Sequence, residues 1–374
     1  VERWGERERR ALVALACAVE PGTTGIADAV AEHGPEAVLS QHRLTVASAA
    51  IRGRLEPGDV PAMLTRMAQQ GVRVVVHGDS EYPGHLGDLP EPPLVLWVRG
   101  PLDLRASALR AVSVVGARAC TAYGERATAA LAGPLADEGW TIVSGAAFGI
   151  DAAAHRAALS SGGATIAFMA CGVDVAYPRA HDALLAQIGD VGAVVSELPP
   201  GSKPLRHRFL GRNRLIAGLG RGTVVVEAAR RSGALSTAHR ALEFGRVLMA
   251  VPGPITSMSS AGTNQLIHDQ SARAVSDSSQ VVGLLTSAPG EEAAPALPGS
   301  SVQGELALSL DATEGSHSSQ SGVVLASLPY RGARCIDDVA RRSGLPPVVC
   351  LAQLGVLELS GLVRRSAEGW RRCQ

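Results

Sequence analysis

The chain has 374 residues, 46% apolar and 19% charged, which is enough to bury large cores across two or three domains and too apolar for a disordered chain. Its 35 Lys plus Arg balance 35 Asp plus Glu, so no overall field marks it as a polyanion binder. No run approaches the roughly 18–20 apolar residues of a membrane span, and the charged opening lacks the apolar core of a signal peptide, which together predict a cytoplasmic protein without a membrane segment.

In chain order, residues 11–19 are continuous and apolar, Pro21-Gly22 breaks them, and 25–30 and 60–70 give two more helical stretches. Residues 1–68 are therefore expected to form a small helical domain. From 71 the period changes: 72–76 and 94–98 are β-branched, apolar and bounded by Gly and Pro, hence strands. A regular alternation follows, with strands at 111–115, 141–143, 164–169, 193–196, 223–226 and 247–251. The helices fall at 123–138, 150–159, 180–188, 212–219 and 236–244. Wholly apolar strands followed by helices imply a parallel sheet covered on both faces. Right-handed crossovers make it a doubly wound, Rossmann-like α/β domain over 69–285.

Residues 286–320 shift to Pro, Gly, Ser, Glu and Ala, the composition of a flexible linker. In 321–374, helical patterns at 322–328, 336–342 and 348–359 precede a β-ribbon at 361–365 and 369–372. That order predicts a winged helix, a module that serves DNA binding and protein docking alike.

Four loops fall at the carboxyl ends of strands, where an open α/β sheet places its ligands. In 116–124, Gly116 permits a sharp turn, the next helix offers free N–H groups to an anion, and Arg118 adds a charged fork. Loop 144–151, with Ser144, Gly145 and Gly149, suits either a phosphate or close helix–sheet packing, and it lacks the lysine of a Walker loop. In 172–179, Arg179 projects one cation. Loop 199–214 is the richest: prolines hold it extended, and Lys203, Arg206, Arg208, Phe209, Arg212, Asn213 and Arg214 suit a strand of phosphates and bases. Between Lys203 and Arg246 stand ten Lys or Arg and only two acids, Glu227 and Glu243. With aromatics at 3%, binding would rest on phosphates more than on stacking and depend strongly on salt.

Enzyme signatures are missing from the sequence. Gly218-x-Gly220-x-Gly222 precedes a strand instead of joining strand to helix, and neither Gly-x-Ser-x-Gly nor His-Glu-x-x-His occurs. Glu197 and Glu227 read as capping or hydrogen-bonding carboxylates. His155, His181 and His207 lack ligand spacing, and the six cysteines contain no Cys-x-x-Cys pair, so neither a metal, a cofactor nor a disulfide framework is expected. One rival remains: Gly220-Arg221-Gly222-Thr223 with Glu227 is similar to the glycine-rich signature of nucleoside-monophosphate phosphoribohydrolases, with one residue too many before the acid. That reading would make the chain a nucleotide-handling enzyme with Glu227 as its reactive carboxylate.

Val115-Gly116-Ala117-Arg118 with Thr121-x-Tyr123-Gly124, then 144–151, Tyr177-Pro178, 196–201, Phe209-x-x-Arg212-Asn213-Arg214, 215–219, Val226-Glu227-Ala228, 232–238, Gly245-Arg246 and Val251-Pro252-Gly253 together resemble the DNA-processing protein A family (DprA, also called Smf). The resemblance implies a sterile-alpha-motif helical domain, a Rossmann-like domain and often a winged helix. It implies a protein that is not an enzyme, binds single-stranded DNA, and loads the RecA recombinase in natural transformation and homologous recombination. A homodimer through the C-terminal part of the Rossmann-like domain is implied as well. Carried over by motif, Arg118, Arg179 and Lys203 would contact phosphates, with Arg212, Asn213 and Arg214 supporting the groove and loop 144–149 lying against the DNA backbone. Residues 268–272 depart from the pattern, since a Gly-Ala pair is usual there, in the region the family uses to dimerise.

Overall fold

The apolar strands pair side by side with helices between them. The computed structural model describes residues 4–45 and 60–286 of a first unit; of a second it describes 324, 328, 334–343, 347–359, 363–366 and 369–372. In the first unit β1 (Val72–Val76), β2 (Val95–Arg99), β3 (Ala111–Val115), β4 (Thr141–Ser144), β5 (Thr165–Phe168), β6 (Ala193–Ser196), β7 (Gly222–Val225), β8 (Val247–Ala250) and β9 (Arg273–Ala274) form one sheet. Its order is β1-β2-β6-β5-β4-β3-β7-β8-β9. From β6 to β9 every pairing is parallel, whereas β2 runs antiparallel to both β1 and β6.

Each central strand is buried on both faces, as its apolar run requires. Along β3, Val112 and Val114 join Leu131 and Leu135 of α7 (Ala122–Asp137), while Ala111 and Val115 join Leu215 and Ile216 of α10 (Arg206–Leu219) on the opposite face. Buried hydroxyls tie these layers: Ser113 Oγ donates to the Ile216 carbonyl at 2.6 Å and Ser144 Oγ to that of Val114 at 2.7 Å.

The N-terminal helices are α1 (Glu6–Ala18), α2 (Ile26–His33), α3 (Pro35–Thr45) and α4 (Val60–Gln69). α3 lies outside the helical stretches expected at 11–19, 25–30 and 60–70; it opens on Pro35 at the first helical position, where a missing N–H costs nothing. Leu12, Leu15, Met63 and Met67 share one apolar cluster with Val72, Val76 and Trp97 of the sheet edge.

In the second unit, helices Ile336–Ser343 and Pro347–Leu359 precede β10 (Val363–Ser366) and β11 (Gly369–Arg372), an antiparallel ribbon. Val324, Leu328, Val339, Leu354, Val363 and Trp370 form its core. Most of the helix expected over 322–328, and the expected linker beyond Thr286, lie outside the described residues. Among the described residues no helix is long and apolar enough to cross a membrane.

His155 illustrates how tightly the sheet is sealed. It lies on α8 (Ile150–Ser160), fully buried, with Nδ1 2.7 Å from the Thr165 hydroxyl, which itself donates to the Ile142 carbonyl at 2.7 Å. The hydroxyl can then only accept from Nδ1–H, and Nε2 has no partner among the described residues. The ring is therefore neutral. Burial first, then the charges of Arg212, His181 and Arg156, lower its pKa from 6.5 to about 3. The folded state refuses a proton that the unfolded state takes up below pH 6.5, so stability falls as the solution is acidified. Between pH 7 and pH 5 the wild-type protein should lose about 2 kcal/mol relative to His155→Gln. Urea denaturation of both proteins at the two pH values measures this, and parallel curves would refute a buried neutral imidazole.

Candidate nucleic-acid interface

The chain winds from β3 outward through β4 and β5 to β6, then returns to place β7 on the other side of β3. At such a reversal the loops diverge and leave a crevice at the carboxyl ends of the strands. Here it is a cleft of about 1020 Å³. Gly116, Ala117, Arg118 and Ala119 line it from the loop after β3, Ala147 from that after β4, Asp151 from the first turn of α8, and Arg231, Ser232 and Gly233 from the loop after β7. Tyr177, Pro204 and, from α10, Arg206, Phe209, Arg212 and Asn213 close the side.

Three exposed arginines, Arg118, Arg206 and Arg231, face this space. Arg118 lies over the Phe209 ring, 5.2 Å from its centroid, and the Tyr177 ring stands 5.6 Å beyond. Phe148, 47% exposed, meets His181 edge-on at 4.7 Å. A planar cation stacked on an aromatic keeps its fork free for anions while the ring offers a face to bases. Beneath lies Arg212, 7% exposed, whose Nη1 donates to the Phe168 carbonyl at 2.7 Å. Burial pushes the neighbouring Asp151 carboxyl up, and Arg212, the Ala147 and Gly145 amides and Arg118 pull it back. Burial likewise lowers the Arg212 guanidinium, which Asp151 supports. With these two charges set against each other, the sign of the cleft is that of its exposed arginines.

Asn213 is 9% exposed and lines the cleft, and its side-chain amide has no hydrogen-bond partner among the described residues. A nearly buried amide with both a donor and an acceptor is costly unless something fills the space before it.

Glycines decide how closely the loops approach. Gly145 leaves room for the Arg212 guanidinium, with which any Cβ would collide, and Gly149 adopts φ +75 where a Cβ would strike the Ala117 and Arg118 carbonyl oxygens. The small-residue loop thus serves internal packing directly.

Several sequence expectations are corrected. Loop 199–214 is not extended throughout, for α10 begins at Arg206; its first turn is pinned by Arg208, which donates to both Glu20 carboxylate oxygens at 2.6 and 3.1 Å and to the Lys203 carbonyl at 2.9 Å. The N–H groups opening α7 are not all free for an anion. The Glu227 carboxylate, 1% exposed, accepts from the Thr121 amide at 2.9 Å and hydroxyl at 2.7 Å, and Thr121 caps Gly124. Ser144 is fully buried, its hydroxyl committed to Val114. Arg214 lies outside the cleft lining, with Nη2 2.6 Å from both Glu197 oxygens. Arg179 and Lys203 are exposed and stand beside the lining residues Tyr177 and Pro204 without lining the cleft themselves.

The basic run also disperses in three dimensions. Arg208, Arg212 and Arg214 are buried, Arg240 pairs with Glu243 at 2.7 Å, and Arg221 reaches the Leu109 and Leu285 carbonyls at the far end of the sheet. Arg206, expected in the basic loop, does line the cleft, and so does Arg231, which the sequence pattern of that loop does not include. Arg231 had a legible signal, since it follows an apolar strand at its carboxyl end. Among the described residues no cluster of three or more metal-ligating side chains occurs.

Residues 73–286 match the family model of DNA recombination-mediator protein A, and 309–369 match the DprA winged helix domain. A Mycobacterium tuberculosis protein named for DNA processing (DprA) is 42% identical over 82% of this chain and 79% of its own length. The X-ray structure of DNA processing protein A from Streptococcus pneumoniae superimposes with TM-score 0.58 at 37% identity, covering 67% of this chain and 82% of that one. DNA processing protein A of Helicobacter pylori, whose structure was described for its single-stranded DNA binding mode, gives TM-score 0.52 at 28% identity over 57% of this chain and 95% of that one.

Proposed function

This chain belongs to the DNA recombination-mediator protein A family, and from that premise we propose that it binds single-stranded DNA in the cleft between β3 and β7 without catalysing a reaction. The observation that carries the reading is the gathering of Arg118, Arg206 and Arg231 with Phe209 and Tyr177 around one open cleft of about 1020 Å³. Exposed forks neutralise phosphates, aromatic faces take unstacked bases, and a cleft of this size admits several nucleotides. Glu227 supports a non-enzymatic role, because its carboxylate is buried and spent on capping α7. The Helicobacter pylori relative adds support from its own single-stranded DNA binding.

On this reading Gly116, Arg118, Phe209, Arg212 and Asn213 form the contact or its floor, Gly145 and Gly149 shape it, and Arg179 and Lys203 extend it as flanking cations. The same protein loads RecA and acts as a homodimer through the later part of the first unit. Exposed apolar side chains on the loop after β8, Ile255 at 95% and Met258 at 76%, supply surface for such protein contacts. Salt dependence tests the DNA reading. Arg118→Ala and Arg206→Ala should each weaken binding of a single-stranded oligonucleotide and flatten the log–log salt slope by about 0.7, together by about 1.4. Fluorescence anisotropy between about 50 and about 200 mM salt reads both. Unchanged slopes in the double variant would place the DNA elsewhere.

A further inference from the structure

The second unit carries a charge pattern that the cleft does not use. Residues 363–372 contain Arg364, Arg365, Arg371 and Arg372 against one acid, Glu368. In the ribbon Val363 and Trp370 turn inward, 2% and 7% exposed. Arg364 stands directly opposite Arg371, and both are exposed. Like charges directly opposed across two strands repel, and neither arginine has an ion pair among the described residues. β11 is flanked on its other side by Arg334, whose amide donates to the Trp370 carbonyl at 3.0 Å, so β10 is the outer strand.

The helix before the ribbon is the opposite in character. Pro347–Leu359 holds no Lys or Arg, exposes Leu351 at 48%, and presents Glu358 to solvent. A helix without cations is poorly suited to lie in a groove walled by phosphates. Among the described residues of this unit the exposed arginines are Arg364 and Arg371 on the ribbon and Arg341, which is paired with Asp338 at 3.1 Å.

We propose that the opposed pair Arg364 and Arg371 is a second nucleic-acid contact, in which the ribbon grips the phosphodiester backbone while the helix stays out of the groove. The repulsion between the two forks is relieved when phosphates settle between them, and each fork can take one phosphate in bidentate fashion. The contact is independent of sequence, since it touches no base edge.

The test uses the full chain with two probes, a single-stranded 30-mer and a duplex of about 20 base pairs, titrated over salt. Arg364→Ala/Arg371→Ala should flatten the salt slope by about 1.8 on the duplex if duplex is the natural source of phosphates, or by about 1.4 on the single strand if that is. Arg364→Lys/Arg371→Lys, which keeps the charge, should hold the wild-type slopes. The alanine decrement should persist when Arg118 and Arg206 are also replaced, which separates this contact from the cleft. Slopes equal to wild type on both probes overturn the proposal and leave the arginines as protection of an edge strand. So does a lysine variant that loses as much as the alanine one.

Discussion

Gly149→Ala should lower the free energy of unfolding by about 3–4 kcal/mol and remove most single-strand binding with it. Gly149 caps α8 at φ +75 and ψ −127, a backbone state that side chains rarely enter. Its Cβ would strike the Ala117 and Arg118 carbonyl oxygens, which belong to backbone and cannot swing aside. The same junction is held by the Ile150 amide, which donates to the Ala117 carbonyl at 3.2 Å. Relief must therefore come from moving the loop after β3, and Arg118 moves with it off the Phe209 face. Gly139 provides the control: it sits at φ +82 with nothing near a Cβ position, so Gly139→Ala should cost only about 1 kcal/mol and leave binding intact. Urea denaturation with oligonucleotide titration reads both quantities. A Gly149→Ala protein as stable as Gly139→Ala would mean that the two loops are not locked together.

That junction marks the boundary between what was legible in the residues and what was not. The strands from Ala111 to Ala250 were legible because a strand covered on both faces has to be apolar throughout, and the Rossmann-like order followed from the helices between them. The glycine loop was legible as a close approach, but nothing local told whether a phosphate or Arg212 would fill the space. The start of α10 was hidden by Pro199, Pro200 and Pro204, whose extended signal masked a helix fixed from outside by Glu20, nearly two hundred positions earlier. Charge was the least legible quantity. Ten cations in sequence became two exposed arginines in the cleft, because each guanidinium is placed by its partner, and partners such as Glu20, Glu197 and Phe168 come from other elements. Arg118 was found by the strand-end rule; Arg231 obeys the same rule and needed only its consistent application.

Glu197→Gln should destabilise the protein by about 3 kcal/mol, although no DNA contact is touched. Both Glu197 oxygens lie 2.6 Å from Arg214 Nη2, and the two side chains are only 11% and 7% exposed. Among the described residues Arg214 Nε and Nη1 have no partner, and the Glu197 carboxylate is the one compensation found there for this guanidinium's leaving water. Gln preserves the shape and removes the charge, leaving a buried cation to be solvated by distortion. The damage should spread to the N-terminal helices, because the Gly22 loop packs so close to Arg214 Nε that a Cβ on it would lie 3.2 Å away. Removing both members avoids the orphan charge: Glu197→Leu with Arg214→Met should recover most of the lost stability, since a buried ion pair is often matched by an apolar pair of similar volume. If the double variant falls below Glu197→Gln, Arg214 holds the N-terminal helices to α10 through packing that methionine cannot supply. If Glu197→Gln matches wild type in urea, Arg214 finds solvent without its carboxylate, and the pair is no anchor.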